Sequence, residues 1–184
     1  NIKHYYIHQI WPGACGSRSV EGDRLRERQR ELPKQFSNMS VLSTLGIRPG
    51  GGCHFLADGY AAMAGQLFPL VNQYNYGVEP KTSITPPNIL SASFVGGRKD
   101  EIKLVFDQEV KWEEEIIERF YLDDGSAELT AVGGSGKTIT LKLAGPTSAK
   151  NLSYVRGGKW RQDQSIIWGA NDLAALTFCE VPIE

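Results

Sequence analysis

The hydrophobic period of this chain changes once, across a short proline-bearing stretch, and that change limits what the chain can fold into. From His54 to Val71 the apolar positions Leu56, Tyr60, Met63, Leu67 and Leu70 step by 4, 3, 4 and 3. That is the spacing of one face of an amphipathic helix. Between residues 75 and 87 lie Gly77, Pro80, Pro86 and Pro87, which read as a linker or crossing segment. Beyond it the apolar residues alternate, as in Ile102, Leu104, Phe106 and again Ile139, Leu141, Leu143. Alternation is the signature of a half-buried strand, and it does not interchange with a helical period. Two different architectures are therefore expected, at 1–77 and 89–184, joined by a linker over 78–88.

The first part reads as strand, helix, strand, helix. Residues 4–10 are aromatic and β-branched, as in a buried strand. Residues 22–32 are helix formers dense in charge, with Leu25 and Leu32 seven apart. They predict a surface helix that starts near Asp23 and stops before Pro33. Residues 39–45 read as a second strand, 46–52 as a glycine-rich loop, and 54–71 as the amphipathic helix. This order is the repeating unit of a parallel α/β sheet. Parallel sheets are covered on both faces and usually have more strands than two. The chain also begins at Asn1, with neither Met nor a signal peptide. Residues 1–77 are thus expected to be the final βα units of a larger domain, incomplete without an N-terminal part.

The second part predicts short strands near 89–95, 101–107, 117–122, 127–132, 137–143, 151–155, 165–168 and 173–181, with glycine-rich or Asp-Gly turns between them. Such spacing suggests an antiparallel β-sandwich. Residues 111–118 are either strand or a short helical turn.

Composition narrows the function classes. A net charge of −1 gives no basic excess for nucleic acid, and the longest apolar runs fall far short of the roughly 20 residues that span a bilayer. Neither partner is expected, and no cofactor is. Cys15, Cys53 and Cys179 lack CxxC spacing, so no metal site is expected. They are either three buried thiols or a Cys15–Cys53 disulfide with one thiol over.

His54 is the best candidate for chemistry. It follows a strand and a glycine-rich loop and precedes a helix, and functional groups of open α/β sheets gather at the carboxyl ends of strands. A His there can take the proton of a serine hydroxyl and return it to the leaving group. Taken alone, a His at a helix start is more commonly a polar surface or capping residue.

The run from Leu25 to Gly77, including CHFLADGYAAMAG, resembles the C-terminal end of SGNH-type hydrolases, most of all the sialate O-acetylesterase-like carbohydrate esterases. In those families a strand precedes the loop carrying the catalytic His, and a helix with the pattern seen here as Asp58-Gly59-Tyr60-Ala61 follows. The resemblance implies the C-terminal part of a flavodoxin-like parallel-sheet domain, a trailing β-sandwich, and His54 as catalytic base. It further implies a secreted or periplasmic esterase that removes acyl groups, acetyl above all, from carbohydrates.

Two positions depart from the family pattern. The Asp of its D-x-x-H block is Gly51 here, and Asp58 lies one helical turn beyond His54. The serine nucleophile of a G-D-S-like block is absent, since the only Gly-Asp pair, Gly22-Asp23, is followed by Arg24. The resemblance thus implies a partner: an N-terminal segment of the same precursor that carries the serine. Arg48, Trp11 and His8 are the candidate substrate contacts, as a hydroxyl or carboxylate binder, a sugar-stacking ring and a cleft residue. Each has an ordinary reading beside it, as surface salt bridge, packing aromatic or hydrogen-bonded core residue. His4 reads as structural or exposed, and Gln9 as facing away from His8. The competing function is a non-catalytic carbohydrate-binding module, in which Trp112, Trp160 or Trp168 would stand exposed rather than buried in the sandwich.

Overall fold

The computed structural model describes residues 2–13, 15–48, 54–123, 125, 128–162 and 164–184. The chain opens with β1 (Tyr5–His8), α1 (Val20–Gln35), β2 (Met39–Leu42) and α2 (Ala57–Tyr76). β1 and β2 run parallel, Tyr5 opposite Met39 and His8 opposite Leu42, with α1 as the crossover that parallel neighbours require. Nine short strands follow: β3 (Ile89–Phe94), β4 (Glu101–Phe106), β5 (Val110–Lys111), β6 (Phe120–Leu122), β7 (Leu129–Gly133), β8 (Thr138–Leu143), β9 (Asn151–Tyr154), β10 (Trp168–Gly169) and β11 (Phe178–Pro182). They form antiparallel sheets in the orders β3-β4-β8-β7, β11-β9-β6 and β10-β5. The fold is mixed α/β with mostly antiparallel sheet, and its strand content is that of the expected sandwich. The stretch left open between strand and helix is a 3-10 turn, Glu114–Arg119, running into β6.

The main hydrophobic core lies between the antiparallel sheets. Ile102, Leu104 and Phe106 alternate inward from β4 and meet Ile139 and Leu141 from β8 and Leu152 from β9. Phe120, Tyr154 and Phe178 stack at centroid separations of 5.3 to 6.5 Å. Burial raises the Tyr154 phenol pKa well above its usual value. Its hydroxyl keeps a partner by accepting from the Ile167 amide at 2.8 Å.

α1 is the element that departs furthest from expectation. It starts at Ser19, whose Oγ accepts from the Gly22 amide at 3.2 Å. It also runs past Pro33 to Gln35. Pro33 removes one helix donor in the final turn, and the Phe36 amide closes the end on the Leu32 carbonyl at 2.9 Å. One face of it is exposed, as expected of a surface helix, but the buried face is not the leucine face. Leu25 is 50% exposed, whereas Asp23, Arg26 and Arg30 are 6%, 0% and 4% exposed. The inward stripe keeps helical spacing but is polar, so a search for apolar periodicity looks at the wrong face.

Each buried charge on that stripe is answered. Arg26 pairs with Asp23 and donates from Nη1 to the Ser17 carbonyl at 2.9 Å. Asp23 accepts from the Gly157 amide at 2.8 Å. Arg30 pairs with Glu27 and Glu31 and donates to Asn88 Oδ1 at 2.9 Å. Gln9, just past β1 and 1% exposed, donates to the Arg26 carbonyl at 2.9 Å and the Thr177 carbonyl at 3.0 Å. Its Oε1 accepts from the Thr177 amide at 2.9 Å. α1 and the parallel pair are therefore fastened to the antiparallel sheets through a polar seam. The segment ahead of β3 is pinned too: Asn171 donates to the Ser83 and Thr85 carbonyls at 3.0 and 2.8 Å, and the Leu176 amide to the Pro87 carbonyl at 3.0 Å.

Removing one member of a buried pair strands the other charge, at a typical loss of about 3–5 kcal/mol. Asp23→Ala should lower unfolding free energy by about that much in urea denaturation. Arg24→Ala, which breaks an exposed pair with Glu180, should cost far less, because water and salt screen that pair. Equal losses from the two variants would contradict the seam.

Candidate functional site

The carboxyl ends of β1 and β2 open into a cavity of about 320 Å³, lined in part by His8, Trp11, Cys15, Phe55, Tyr60 and Met63. β1 delivers His8 to its rim, and the turn after β1 holds Trp11 in place, the Trp11 carbonyl accepting from Ser17 Oγ at 2.6 Å. The first residues of α2 close the other wall. Phe55 meets Trp11 edge-on at 6.1 Å between centroids, and Tyr60 meets Phe55 edge-on at 6.2 Å.

His8 is half-buried, and its Nε2 is shielded from water without a hydrogen-bond partner. Burial lowers its pKa below the ordinary 6.5, partly offset by a hydrogen bond with the Met63 backbone. Burial thus favours the neutral imidazole, with Nε2 unpartnered among the described residues at the cavity.

His54 stands just ahead of α2 and next to Phe55. Its side chain is exposed and hydrogen-bonds to nothing among the described residues. Gly51, at the position where the family block has Asp, lies outside the described residues. Asp58 is exposed in the first turn of α2.

Arg48 does not join His8 and Trp11. It lines a second cavity, of about 430 Å³, with Trp112 and Trp168 of the antiparallel part, and its Nη2 donates to the Gln162 carbonyl at 2.9 Å. The turn after β2 is pressed against that part at Gly46. A Cβ there would fall 2.3 Å from the Trp168 ring, and the backbone φ of +74° is left-handed, so glycine is required twice over.

The remaining candidates resolve as follows. His4 is structural: its Nε2 lies 2.9 Å from Ser40 Oγ and its ring stacks on Tyr74 at 3.7 Å. Trp160 is buried, and Trp112 and Trp168 are half-buried. Cys15 is disulfide-bonded and Cys179 is a free, buried thiol, so the reading of three thiols fails at Cys15. The proposed partner, Cys53, lies outside the described residues. No cluster of three potential metal ligands occurs among the described residues. Sequence reasoning missed Phe55, Tyr60 and Met63 as cavity walls.

No family model matches the chain, and no curated protein sequence does. Among solved structures, a carbohydrate acetylesterase from Xanthomonas citri matches 95% of this chain with a TM-score of 0.67 at 15% identity. The chain spans 40% of that protein's length. At this identity the likeness is one of fold, and it covers the parallel pair, the helices and the antiparallel sheets together.

The histidines give a pH signature. Folded-state pKa values of His8 and His4 are both lowered by burial. As pH falls through 6.5 the unfolded chain takes up protons that the folded chain does not, so stability drops. Urea denaturation should show a lower unfolding free energy at pH 5.5 than at pH 7.5, and His8→Gln should flatten part of that slope. A pH-independent stability over this range would contradict the assignment.

Proposed function

We propose that this chain is the C-terminal part of an SGNH-type serine esterase that removes acyl groups, acetyl above all, from carbohydrates. The observation that carries the reading is positional. His54 comes two residues before Leu56, the N-cap of α2, and its neighbour Phe55 lines a cavity of about 320 Å³, a small-ligand size, at the carboxyl ends of β1 and β2. The fold likeness to a carbohydrate acetylesterase supports the substrate class. In this reading a serine Oγ attacks the ester carbonyl while His54 takes its proton. His54 returns the proton to the departing sugar hydroxyl, and water then releases the acid from the acyl-enzyme. Trp11 and His8 contact the substrate in the cavity.

The serine and the oxyanion donors come, in this proposal, from an N-terminal segment of the same precursor. Among the described residues β1 pairs with β2 alone, so its other edge offers backbone donors and acceptors to a further strand. α2 also leaves apolar side chains in water, Phe68 at 65% exposed and Tyr60 at 48%, as a helix does when it has lost a neighbour. The Cys15 disulfide supports a secreted or periplasmic setting.

In the full reading frame, His54→Ala should lower kcat for p-nitrophenyl acetate by about 10³-fold or more while changing KM little. Undiminished hydrolysis would overturn the reading. The 184-residue chain alone should self-associate through its open edge and α2, and a stable monomer in light scattering would contradict the incomplete sheet.

A further inference from the structure

The second cavity, about 430 Å³ between the turn after β2 and the antiparallel part, is used by none of the chemistry above. Its walls combine two kinds of surface. Trp112 and Trp168 are half-buried against the core and show the rest of their rings to the cavity, over a base at the buried Ile166. Around them stand groups with hydrogen-bonding capacity to spare, counting partners among the described residues. Glu113 accepts from Ser165 Oγ at 3.1 Å through Oε2, leaving Oε1 unpaired. Gln164 accepts the Arg161 amide at 3.0 Å through Oε1, leaving its NH₂ unpaired. Arg48 uses one N–H on the Gln162 carbonyl and keeps the others.

Indole faces beside unpaired donors and acceptors complement a pyranose, which has an apolar C–H face and a hydroxyl-bearing edge. The charges select among sugars. Glu113 on the same wall offsets the charge of Arg48 by count, and Lys111 is already paired with Asp172 at 2.5 Å. The cavity has no surplus of positive charge for a uronate or sialate.

Location gives the cavity its use. Arg48 lies six residues before His54 in sequence, and the Gly46–Trp168 and Arg48–Gln162 contacts hold Gly46 and Arg48 against the cavity wall. We infer that this cavity is a subsite for neutral sugar units neighbouring the acylated one, so that the substrate is an oligo- or polysaccharide rather than an acylated monosaccharide. The inference rests on the esterase reading for its place in catalysis, but the binding itself needs neither an ester nor a nucleophile.

The test is calorimetric titration of the 184-residue chain with cellohexaose, mannohexaose and xylohexaose, and with trigalacturonate as the anionic control. At least one neutral hexaose should bind. Trp112→Ala should weaken that binding by about tenfold or more, as loss of a central aromatic contact does, and Gln164→Ala several-fold. Gln164→Ala removes no core packing and decides the matter if Trp112→Ala fails to fold. Absence of binding by all three neutral hexaoses, binding of trigalacturonate alone, or parent-like binding by both variants would overturn the proposal. An inactive full-length enzyme that still shows this binding would cost the esterase reading alone. An active one that binds none of the neutral hexaoses would cost the subsite alone.

Discussion

Arg26 holds a full charge where water does not reach it, and three segments of the chain are arranged around that charge. Asp23, one helical turn earlier, supplies the countercharge, and the Ser17 carbonyl takes a second guanidinium hydrogen. Asp23 in turn accepts the Gly157 amide from the loop between β9 and β10. Backbones close in until the Ser17 carbonyl oxygen lies 2.4 Å from where a Cβ on either Gly22 or Gly157 would fall. Larger residues at those two positions would push the segments apart. Separating them would leave an arginine and an aspartate desolvated without partners, a penalty well above what a surface ion pair costs to break. This pair, with Gln9 bridging α1 and Thr177 beside it, makes the parallel strand pair and the antiparallel sheets one packed unit.

The placement of the candidate site follows from that union. The loop that leaves β2 begins with the Ser43 hydroxyl on the Ala175 carbonyl and continues with Gly46 under Trp168 and Arg48 on Gln162. Each contact crosses from the parallel pair to the antiparallel part. Residues 43–48 are thus set by the antiparallel part as much as by their own strand. One cavity is lined by His8 and Trp11 and the other by Trp112 and Trp168, with Thr44 contributing to the first and Arg48 to the second.

Much of this was legible in the residues themselves. Strands with clean alternation, such as 101–107 and 137–143, fell within a residue of β4 and β8 because one face of each is packed on a core. The helix after His54 began and ended later than its apolar steps suggested, running Ala57–Tyr76 to a left-handed Gly77 cap. The buried side of α1 went unseen because hydrophobic pattern is blind to a face made of Asp, Arg and Glu. Beyond its local ion pairs, such a face needs partners from far away in sequence, here Asn88, Gly157 and Cys179. Gln9 was read as facing away from the cleft, and nothing local marks it as the bridge to residue 177. The cavity walls at Phe55, Tyr60 and Met63 became visible only once α2 was docked on the strand ends.

The claim that the two parts form one unit through the buried seam is tested most directly by native-state amide hydrogen exchange at Gly157 and Thr177. Their N–H groups donate to Asp23 and Gln9 across the seam. Both amides should exchange only on global unfolding, with the same free energy of opening as the central amides of β4. Exchange at Gly157 and Thr177 through an opening that leaves β4 protected would show that the parts separate on their own, and would contradict the account.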